Sequence, residues 1–255
     1  MDNEKVFFGY RQVRADEKAQ LVLQHFDSIA RRYDVVNTLM SFGLHLIWKR
    51  SAVEMLKLKR GDLVVDVCGG TADLSIHAAK AVGPSGRVVL YDINRTMIEA
   101  GLSKVSKKVS KNAGDGRIEF VQGDAERISM VEGQFDAAMV GFGVRNLTHM
   151  EKGFEEMYRL LKHGGKLVCL EFSMPSAAML RWLYNLYSFR IMPLAGQFLT
   201  GSRMAYTYLP ESIRMFPLPK ELGNILKKIG FSVVTYKKFT NGIAVAHLGV
   251  KPHKR

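Results

Sequence analysis

The sequence predicts an α/β fold in which a mostly parallel sheet carries helices on both faces. Short apolar runs rich in β-branched residues alternate with longer segments whose apolar residues recur at helical spacing. One of these runs, residues 62–68, leads directly into Gly69-Gly70, as a strand does when it turns tightly into a helix. Regular alternation of strands and helices requires parallel strands with helices that cover both faces of the sheet.

The elements follow from this pattern in chain order. Residues 1–14 are polar and are expected to be mobile, whereas residues 16–34 and 44–57 carry apolar side chains at helical spacing. Gly164-Gly165 are expected to end the last helix of the core. The predicted core elements are strand 62–68, helix 72–82, strand 87–92, helix 95–110, strand 117–122, strand 135–140, helix 150–162 and strand 166–172.

Residues 176–217 interrupt the alternation with a segment rich in aromatic and apolar side chains. Arg181 and Arg190 fall inside it, and a membrane-spanning helix needs about 20 residues nearly free of charge. We therefore expect a helical insertion that forms a lid over the site and contacts lipid. The chain then closes with helix 218–229 and strands 231–237 and 243–250, which makes seven strands in all.

The whole chain is expected to form one domain. It has 255 residues, of which 47% are hydrophobic, so a large core is available. We expect an N-terminal helical cap, a cofactor-binding core, the lid and a C-terminal part. These four parts are predicted at residues 1–57, 58–175, 176–217 and 218–255.

Charge and cysteine usage exclude several classes of protein. The net charge is +13, but the basic residues are dispersed and no nucleic-acid-binding signature accompanies them, so no nucleic acid is expected. Cys68 and Cys169 each lie in an apolar run, which favours packed thiols over a disulfide or a metal site, and no metal is predicted. The first residues do not resemble a signal peptide, so a cytoplasmic location is expected.

The glycine turn after the first core strand indicates a nucleotide-like cofactor. The loop lacks the G-x-G-x-x-G order of dinucleotide sites and the Gly-Lys-Ser/Thr ending of a P-loop, so it offers no phosphate cradle. Asp92 ends the next strand, where such folds hold a ribose through its hydroxyls. S-adenosylmethionine, an adenosine cofactor without phosphates, fits this pattern, although a Gly-Gly turn alone is also common in proteins that bind no cofactor.

Several longer motifs point to one family. The sequence is similar to the ubiquinone/menaquinone-biosynthesis C-methyltransferases across roughly residues 20–251. The motifs are Phe26-Asp-Ser-Ile-Ala-Arg-Arg-Tyr33-Asp34 with Asn37-Thr-Leu-Met-Ser-Phe-Gly-Leu-His45, Phe142-Gly143-Val-Arg145-Asn146, Tyr208-Leu-Pro-Glu211-Ser212-Ile-Arg214, and Thr240-Asn-Gly242-Ile243 with His247. The resemblance implies a Rossmann-like class I fold and methyl transfer from S-adenosylmethionine to a ring carbon of a polyprenylated quinol.

The resemblance also implies which residues bind the cofactor. The family positions fall on Thr71, Asp92, Asp124 and Ala125. Taken alone, Asp124 is better explained as a helix N-cap or a turn residue, and only the resemblance favours cofactor binding. Residues that the local pattern adds are Asp66, which could meet the amino group or cap the turn, Gly69, which could allow close approach of the backbone, and Tyr33, which with Asp34 could cover the methionine end.

Two departures from the family pattern concern the same site. Gly141 stands where the family often has serine. Residues 201–206, with Ser202, lack the acid and the serine that are usual in the lid. These departures leave the substrate more open than the reaction type.

Candidate catalytic residues follow the fourth strand. Arg145 could stabilise the phenolate form of a quinol and hold a water that takes its proton, or it could form a structural salt bridge. Asn146 could orient the oxygen or the water, and His149 could relay a proton or simply be exposed. The candidate substrate-binding residues are Glu171, Tyr206, Tyr208 and Arg214.

The expected partner is a polyprenyl quinol met at the membrane surface, on the inner face of the cytoplasmic membrane; a homodimer is a possible assembly. The glycine loop Val67-Cys68-Gly69-Gly70-Thr71-Ala72-Asp73 resembles that of menaquinone-pathway members of the family, and this resemblance implies methylation of demethylmenaquinol to menaquinol. Two alternatives stay open: a methyltransferase of the same fold that acts on another small phenol or lipid, and a non-catalytic subunit of a quinone-biosynthesis complex.

Overall fold

A seven-stranded sheet forms the centre of the computed structural model, which describes residues 4–109, 117–200 and 203–254. Its seven strands are β3 (Leu63–Val67), β4 (Arg87–Asp92), β5 (Ile118–Gln122), β6 (Phe135–Gly141), β7 (Leu161–Phe172), β8 (Ser232–Phe239) and β9 (Ala244–Val250). Two further strands, β1 (Lys5–Phe8) and β2 (Arg11–Arg14), form a separate two-stranded sheet. The strand order of the seven-stranded sheet is β5-β4-β3-β6-β7-β9-β8. The first five strands of this order run parallel, and β9 pairs antiparallel with both β7 and β8.

Helices cover both faces of this sheet and form the N-terminal and lid segments. They are α1 (Ala15–Ile29), α2 (Tyr33–Met40), α3 (Leu44–Leu56), α4 (Asp73–Val82), α5 (Arg95–Val109), α6 (Met150–Leu160), α7 (Ala178–Leu186), α8 (Met192–Thr200), α9 (Arg203–Met215) and α10 (Pro219–Ile229). A π-helical turn, Tyr187–Ile191, joins α7 to α8. The predicted α/β fold class, with its mostly parallel sheet and its helical insertion, is confirmed.

Alternation along the strands divides the core between the two faces. Val64 and Leu90 belong to one cluster of buried side chains, which α3, α4 and α5 cover. Val65 and Tyr91 belong to the other cluster, which α6 and α10 cover. Because successive side chains of a strand point to opposite faces, both faces of the central strands must be apolar, and this explains their unbroken apolar runs.

The expectation for the N-terminus was wrong for the part that the structure describes. Strands β1 and β2 pair as an antiparallel hairpin. Phe8 is only 4% exposed, and its ring stacks on the ring of Tyr208 at 4.1 Å between centroids. The amide of Tyr10 donates to Glu211 at 3.2 Å. These contacts with α9, which is distant in the sequence, hold the hairpin on the body of the protein.

Two boundaries also differ from prediction. A 3₁₀ turn, Ala30–Arg32, separates α1 from α2, where one helix was expected. Helix α6 ends at Leu160, and the chain enters β7 through a bulge before Lys166. Gly164 lies within this bulge at φ 81°, a left-handed conformation that glycine adopts readily.

Over the described ranges, no helix is both long enough and apolar enough to span a bilayer.

Candidate functional site

A cavity opens at the carboxyl ends of β3, β4 and β6, the edge where open α/β sheets bind their ligands. Its wall includes most of the predicted cofactor residues: Tyr33, Asp66, Gly69, Thr71, Asp92, Asp124, Ala125 and Gly141. The structure therefore brings together side chains from the N-terminal segment and from four strand ends. We call this space the cofactor cavity.

The glycine turn between β3 and α4 shapes the floor of the cofactor cavity. A Cβ atom on Gly69 would lie 2.5 Å from Cγ of Leu90, so the absence of a side chain there is required by packing under the loop. This reason differs from the close approach of a ligand that the sequence suggested. Gly70 has φ 50°, and its amide donates to Oδ2 of Asp92 at 2.8 Å.

Asp92 is held by backbone amides on both of its carboxylate oxygens. Besides the bond from Gly70, the amide of Asn94 donates to Oδ1 at 2.8 Å. Each carboxylate oxygen has a second lone pair, so the fixed group can still accept from two ribose hydroxyls. Burial raises the pKa of Asp92, and the two amide bonds oppose that rise.

Asp66 lies deeper in the same wall and is almost fully buried, with 1% of its surface exposed. The Ser75 hydroxyl donates to Oδ2 at 2.6 Å. Burial raises the pKa of Asp66 to about 7, against the lowering effect of Ser75. A carboxyl that is close to half-ionised at neutral pH suits an ammonium ligand, because the positive charge would favour the ionised form.

A chain of buried and partly buried charges joins the glycine loop to α2. Thr71 Oγ1 donates to Oδ1 of Asp34 at 2.7 Å, and Lys104 Nζ lies 2.6 Å from Oδ2 of the same carboxylate. Lys104 also bonds to Asp73, which in turn is paired with Lys49 at 2.7 Å. The sequence analysis assigned neither lysine to the site, because nothing in the local pattern shows that α3 and α5 meet α4 here.

The opposite wall of the cofactor cavity follows β5 and β6. Oδ1 of Asp124 accepts from the Glu126 amide at 2.9 Å, so the residue does form the local turn that was the alternative interpretation, while it also lines the cavity. Ala125 is buried beside it. A Cβ atom on Gly141 would lie 2.7 Å from the Cδ1 atom of Leu74, a side chain end that can move aside.

A second cavity adjoins the first and is mainly aromatic and apolar. The two cavities share the side chains of Phe26, Tyr33, Lys49 and Phe142. Residues that line the second cavity but not the first include His25, His45, Trp48, Arg145, Tyr184, Tyr187 and Tyr206. We call this space the apolar cavity; helices α1 to α3 and the lid helices form most of its wall.

Arg145 is the main charged group of the apolar cavity. Its Nη1 atom pairs with Oε2 of Glu171 at 3.0 Å and also donates to the Phe142 carbonyl, while both side chains of the ion pair are almost fully buried. Nε of Arg145 is buried and has no hydrogen-bond partner among the described residues. Arg145 therefore forms the salt bridge that was one of the two predicted alternatives, and its Nε donor is still available to a ligand.

Asn146 and Tyr208 lie next to Arg145. The Tyr208 hydroxyl donates to Oδ1 of Asn146 at 3.0 Å, and Nδ2 of Asn146 is buried without a partner in the described part of the chain. His25, which the sequence analysis did not select, packs edge-on against Tyr208 at 5.2 Å. Burial and the nearby Arg145 charge lower the pKa of His25 to about 4, so it is neutral at pH 7.

Two predicted residues do not join this group. His149 lines neither cavity, because it lies at the N-cap position of α6. Its Nε2 atom lies 3.6 Å from Glu4, and its backbone amide donates to the Glu126 carboxylate at 3.0 Å. Arg214 also lines neither cavity, because its guanidinium lies over Phe189 and donates to the Pro210 carbonyl at 2.7 Å. The departure noted at Ser202 lies outside the described residues.

The charges of the cofactor cavity fit S-adenosylmethionine. Asp66, Asp92 and Asp124 all line it, while Lys49, which lines it too, is already paired with Asp73. An acidic wall suits a sulfonium and an ammonium and disfavours phosphates. In the described part of the chain, no cluster of His, Cys, Asp or Glu could hold a metal ion.

Comparisons with known proteins identify the family of the chain. Residues 12–251 match the model of the ubiE/COQ5 methyltransferase family. The chain is 42% identical over 245 residues to the ubiquinone/menaquinone biosynthesis C-methyltransferases UbiE of Pseudomonas paraeruginosa and Pseudomonas fluorescens, covering 96% of this chain and 94% of each relative.

Solved structures share the fold. A SAM-dependent methyltransferase from Aquifex aeolicus superimposes with a TM-score of 0.58 at 19% identity, covering 79% of this chain and 88% of that one. A SAM-dependent methyltransferase from Thermotoga maritima, described as a possible histamine N-methyltransferase, gives 0.61 at 16% identity, covering 89% and 99%. The chain therefore belongs to the ubiE/COQ5 methyltransferase family, and it is an S-adenosylmethionine-dependent methyltransferase.

Proposed function

We propose that the protein transfers the methyl group of S-adenosylmethionine to a ring carbon of a polyprenylated quinol in quinone biosynthesis. The observation that carries this proposal is the pair of adjoining cavities. An acidic cavity at the strand ends shares Tyr33 and Phe142 with an apolar, aromatic cavity that contains Arg145. The names of the curated relatives, which are 42% identical, point to the same substrate class.

The chemistry requires alignment and the removal of one proton. When bound, S-adenosylmethionine supplies a methyl group that its sulfonium already activates. A quinol ring carbon becomes nucleophilic once the neighbouring hydroxyl loses its proton, because the phenolate spreads its charge onto that carbon. Tyr33 and Phe142, which face both cavities, would fix the ring beside the cofactor cavity.

Arg145 would stabilise the phenolate. Its guanidinium cannot act as a base at neutral pH, but it can donate to a phenolate oxygen while Glu171 keeps it in place at 3.0 Å. Asn146, fixed by the Tyr208 hydroxyl, has its Nδ2 donor available to the same oxygen or to a water that receives the proton. His149, which lines neither cavity, has no part in this proposal.

Within the quinols, we propose demethylmenaquinol as the substrate and menaquinol as the product. The glycine loop Val67-Cys68-Gly69-Gly70-Thr71-Ala72-Asp73 supports this choice, since it is closer to the form seen in members of the menaquinone pathway. We propose that the reaction takes place at the inner face of the cytoplasmic membrane, where such a substrate resides.

Two variants test the division of roles. Asp92→Ala should abolish S-adenosylmethionine binding in titration calorimetry, whereas Arg145→Ala should bind the cofactor normally and lose methyl transfer to extracted demethylquinols. Equal loss of cofactor affinity in both variants would contradict the assignment. Mass spectrometry of quinones after deletion of the gene identifies the substrate: a menaquinone lighter by one methyl should accumulate, and an unchanged quinone profile would exclude the proposed function.

A further inference from the structure

Large apolar side chains are exposed to solvent around the α2–α3 turn and along α7. On the turn side they are Val35, Leu39, Phe42, Leu46 and Ile47; on the α7 side they are Met179, Trp182, Leu183 and Leu186. Phe42 is 82% exposed and Trp182 64%. Neither α7 nor the turn buries these side chains, although each belongs to a segment that packs on the protein. We call them together the apolar rim.

Both halves of the apolar rim belong to segments that line the apolar cavity. Met40 and Ser41, immediately before Phe42, line the cavity, and so do Tyr184 and Tyr187, which follow Trp182. The Tyr187 hydroxyl donates to the Met40 carbonyl at 2.8 Å, so the two segments touch. The same short segments therefore present apolar atoms inward to the cavity and outward to the surroundings.

The charge of these segments is also one-sided. Asp34, directly before Val35, is paired with Lys104 at 2.6 Å. Residues 35–53 and 172–210 contain no Asp or Glu, while Arg181 and Arg190, in and just after α7, are exposed. A surface with exposed aromatic rings, exposed arginines and no acids matches the interface of an anionic bilayer, where rings insert between headgroups and arginines meet phosphates.

We infer that the apolar rim is a membrane-contact surface that seats the mouth of the apolar cavity on an anionic phospholipid bilayer. This inference rests on the proposed function, because a polyprenylated quinol needs a path from lipid to the ring-binding site without passing through water. With Phe42 and Trp182 in the headgroup region, the quinol ring reaches the apolar cavity while its tail stays in the bilayer.

The test is a direct binding measurement with vesicles that contain no quinone. The full-length protein should co-sediment with vesicles of phosphatidylethanolamine and phosphatidylglycerol, and more weakly with neutral phosphatidylcholine vesicles. The double variant Phe42→Asn/Trp182→Ser should lose about tenfold or more in partition coefficient, because two large apolar side chains no longer insert.

A matched control separates this loss from a general effect of polarity or unfolding. Val233 is 70% exposed and, like Phe42, has a positive φ, but it lies on the edge strand β8. Val131 is 65% exposed in the loop before β6. Val233→Asn/Val131→Ser should therefore leave vesicle binding unchanged, and both double variants should keep their thermal unfolding midpoints.

Other outcomes would overturn the inference. Wild-type protein that stays in the supernatant, or a control variant that loses binding as strongly as the rim variant, would exclude a membrane role for the rim. A rim variant that changes the sedimentation coefficient from dimer to monomer would instead identify the rim as an interface between copies. Turnover of a water-soluble quinol without a prenyl tail should persist in the rim variant; if no quinol is turned over while vesicles still bind, the proposed function fails and the membrane surface stands.

Discussion

Replacement of Asp66 by asparagine should remove the loss of stability that ionisation of this carboxyl causes as the pH rises. The prediction applies to the cofactor-free protein. In the unfolded chain this carboxyl ionises near its ordinary pKa of 3.8, whereas burial in the folded protein raises the pKa to about 7. Between these values the folded state keeps a proton that the unfolded state releases, so the group costs stability as pH rises. The asparagine amide would be neutral in both states and would keep an acceptor for the Ser75 hydroxyl.

The size of the effect follows from the two pKa values. A rise from 3.8 to about 7 corresponds to roughly 4 kcal/mol in the free energy of unfolding once pH exceeds both values. At pH 5 the Asp66 carboxyl is ionised in the unfolded chain and protonated in the folded protein. The cost in stability at this pH is less than half of the full value. The stability of Asp66→Asn relative to wild type should therefore improve by about 2–3 kcal/mol between pH 5 and pH 8.

Urea unfolding at both pH values, followed by circular dichroism, measures this difference. The comparison of variant with wild type cancels the pH dependence of the groups that do not interact with Asp66. A stability difference that is the same at pH 5 and pH 8 would refute the raised pKa of Asp66, whatever the absolute stability of the variant.

Three further substitutions test the packing of the site. Glu171→Gln should destabilise the fold by about 3–5 kcal/mol in urea unfolding at pH 7, because it leaves the buried Arg145 charge without a counter-ion; an unchanged midpoint would show that water reaches this pair. Gly69→Ala should cost about 1–3 kcal/mol in thermal unfolding, since its Cβ would lie 2.5 Å from the Leu90 side chain; wild-type stability would mean that the loop shifts freely. Phe8→Ala should cost about 3 kcal/mol by the same assay and lower turnover, because Phe8 packs on the ring of Tyr208; normal turnover would separate the hairpin from the site.

Much of the fold could be predicted because local pattern and tertiary structure agree in the core. The apolar runs of β3 and β4 are buried on both faces of the sheet, and this burial matches their sequence pattern. The turn at Gly69 and the carboxylate of Asp92 follow at the ends of these strands, where the pattern predicts them. The N-terminal hairpin was not predicted although β1 contains the strand-forming run Val6-Phe7-Phe8. The contacts of Phe8 and Tyr10 that hold it are made to α9, which lies about 200 residues away in the chain, and no local pattern shows them.

Site residues that come after the ends of strands could be predicted from the sequence. Site residues in the middle of helices could not, because their direction depends on how the helices pack. Arg145 and Asn146 come directly after β6, so their position at the sheet edge follows from the topology. Lys104 and His25 sit in the middle of amphipathic helices, where an inward-facing polar side chain has the same spacing as an outward-facing one. Only the packing of α1 and α5 on the cavity walls shows which way they point.

The stacking of Phe8 on Tyr208 also has a practical consequence for anyone who expresses this protein. Tyr208 holds Asn146, so the eighth residue of the chain is two contacts away from the proposed catalytic groups. A purification tag or an N-terminal truncation that disturbs β1 would also disturb Tyr208 and Asn146. The resulting loss of activity would then be mistaken for a property of the enzyme itself. The opposite terminus, where Lys254 is exposed, is the safer place for a fusion.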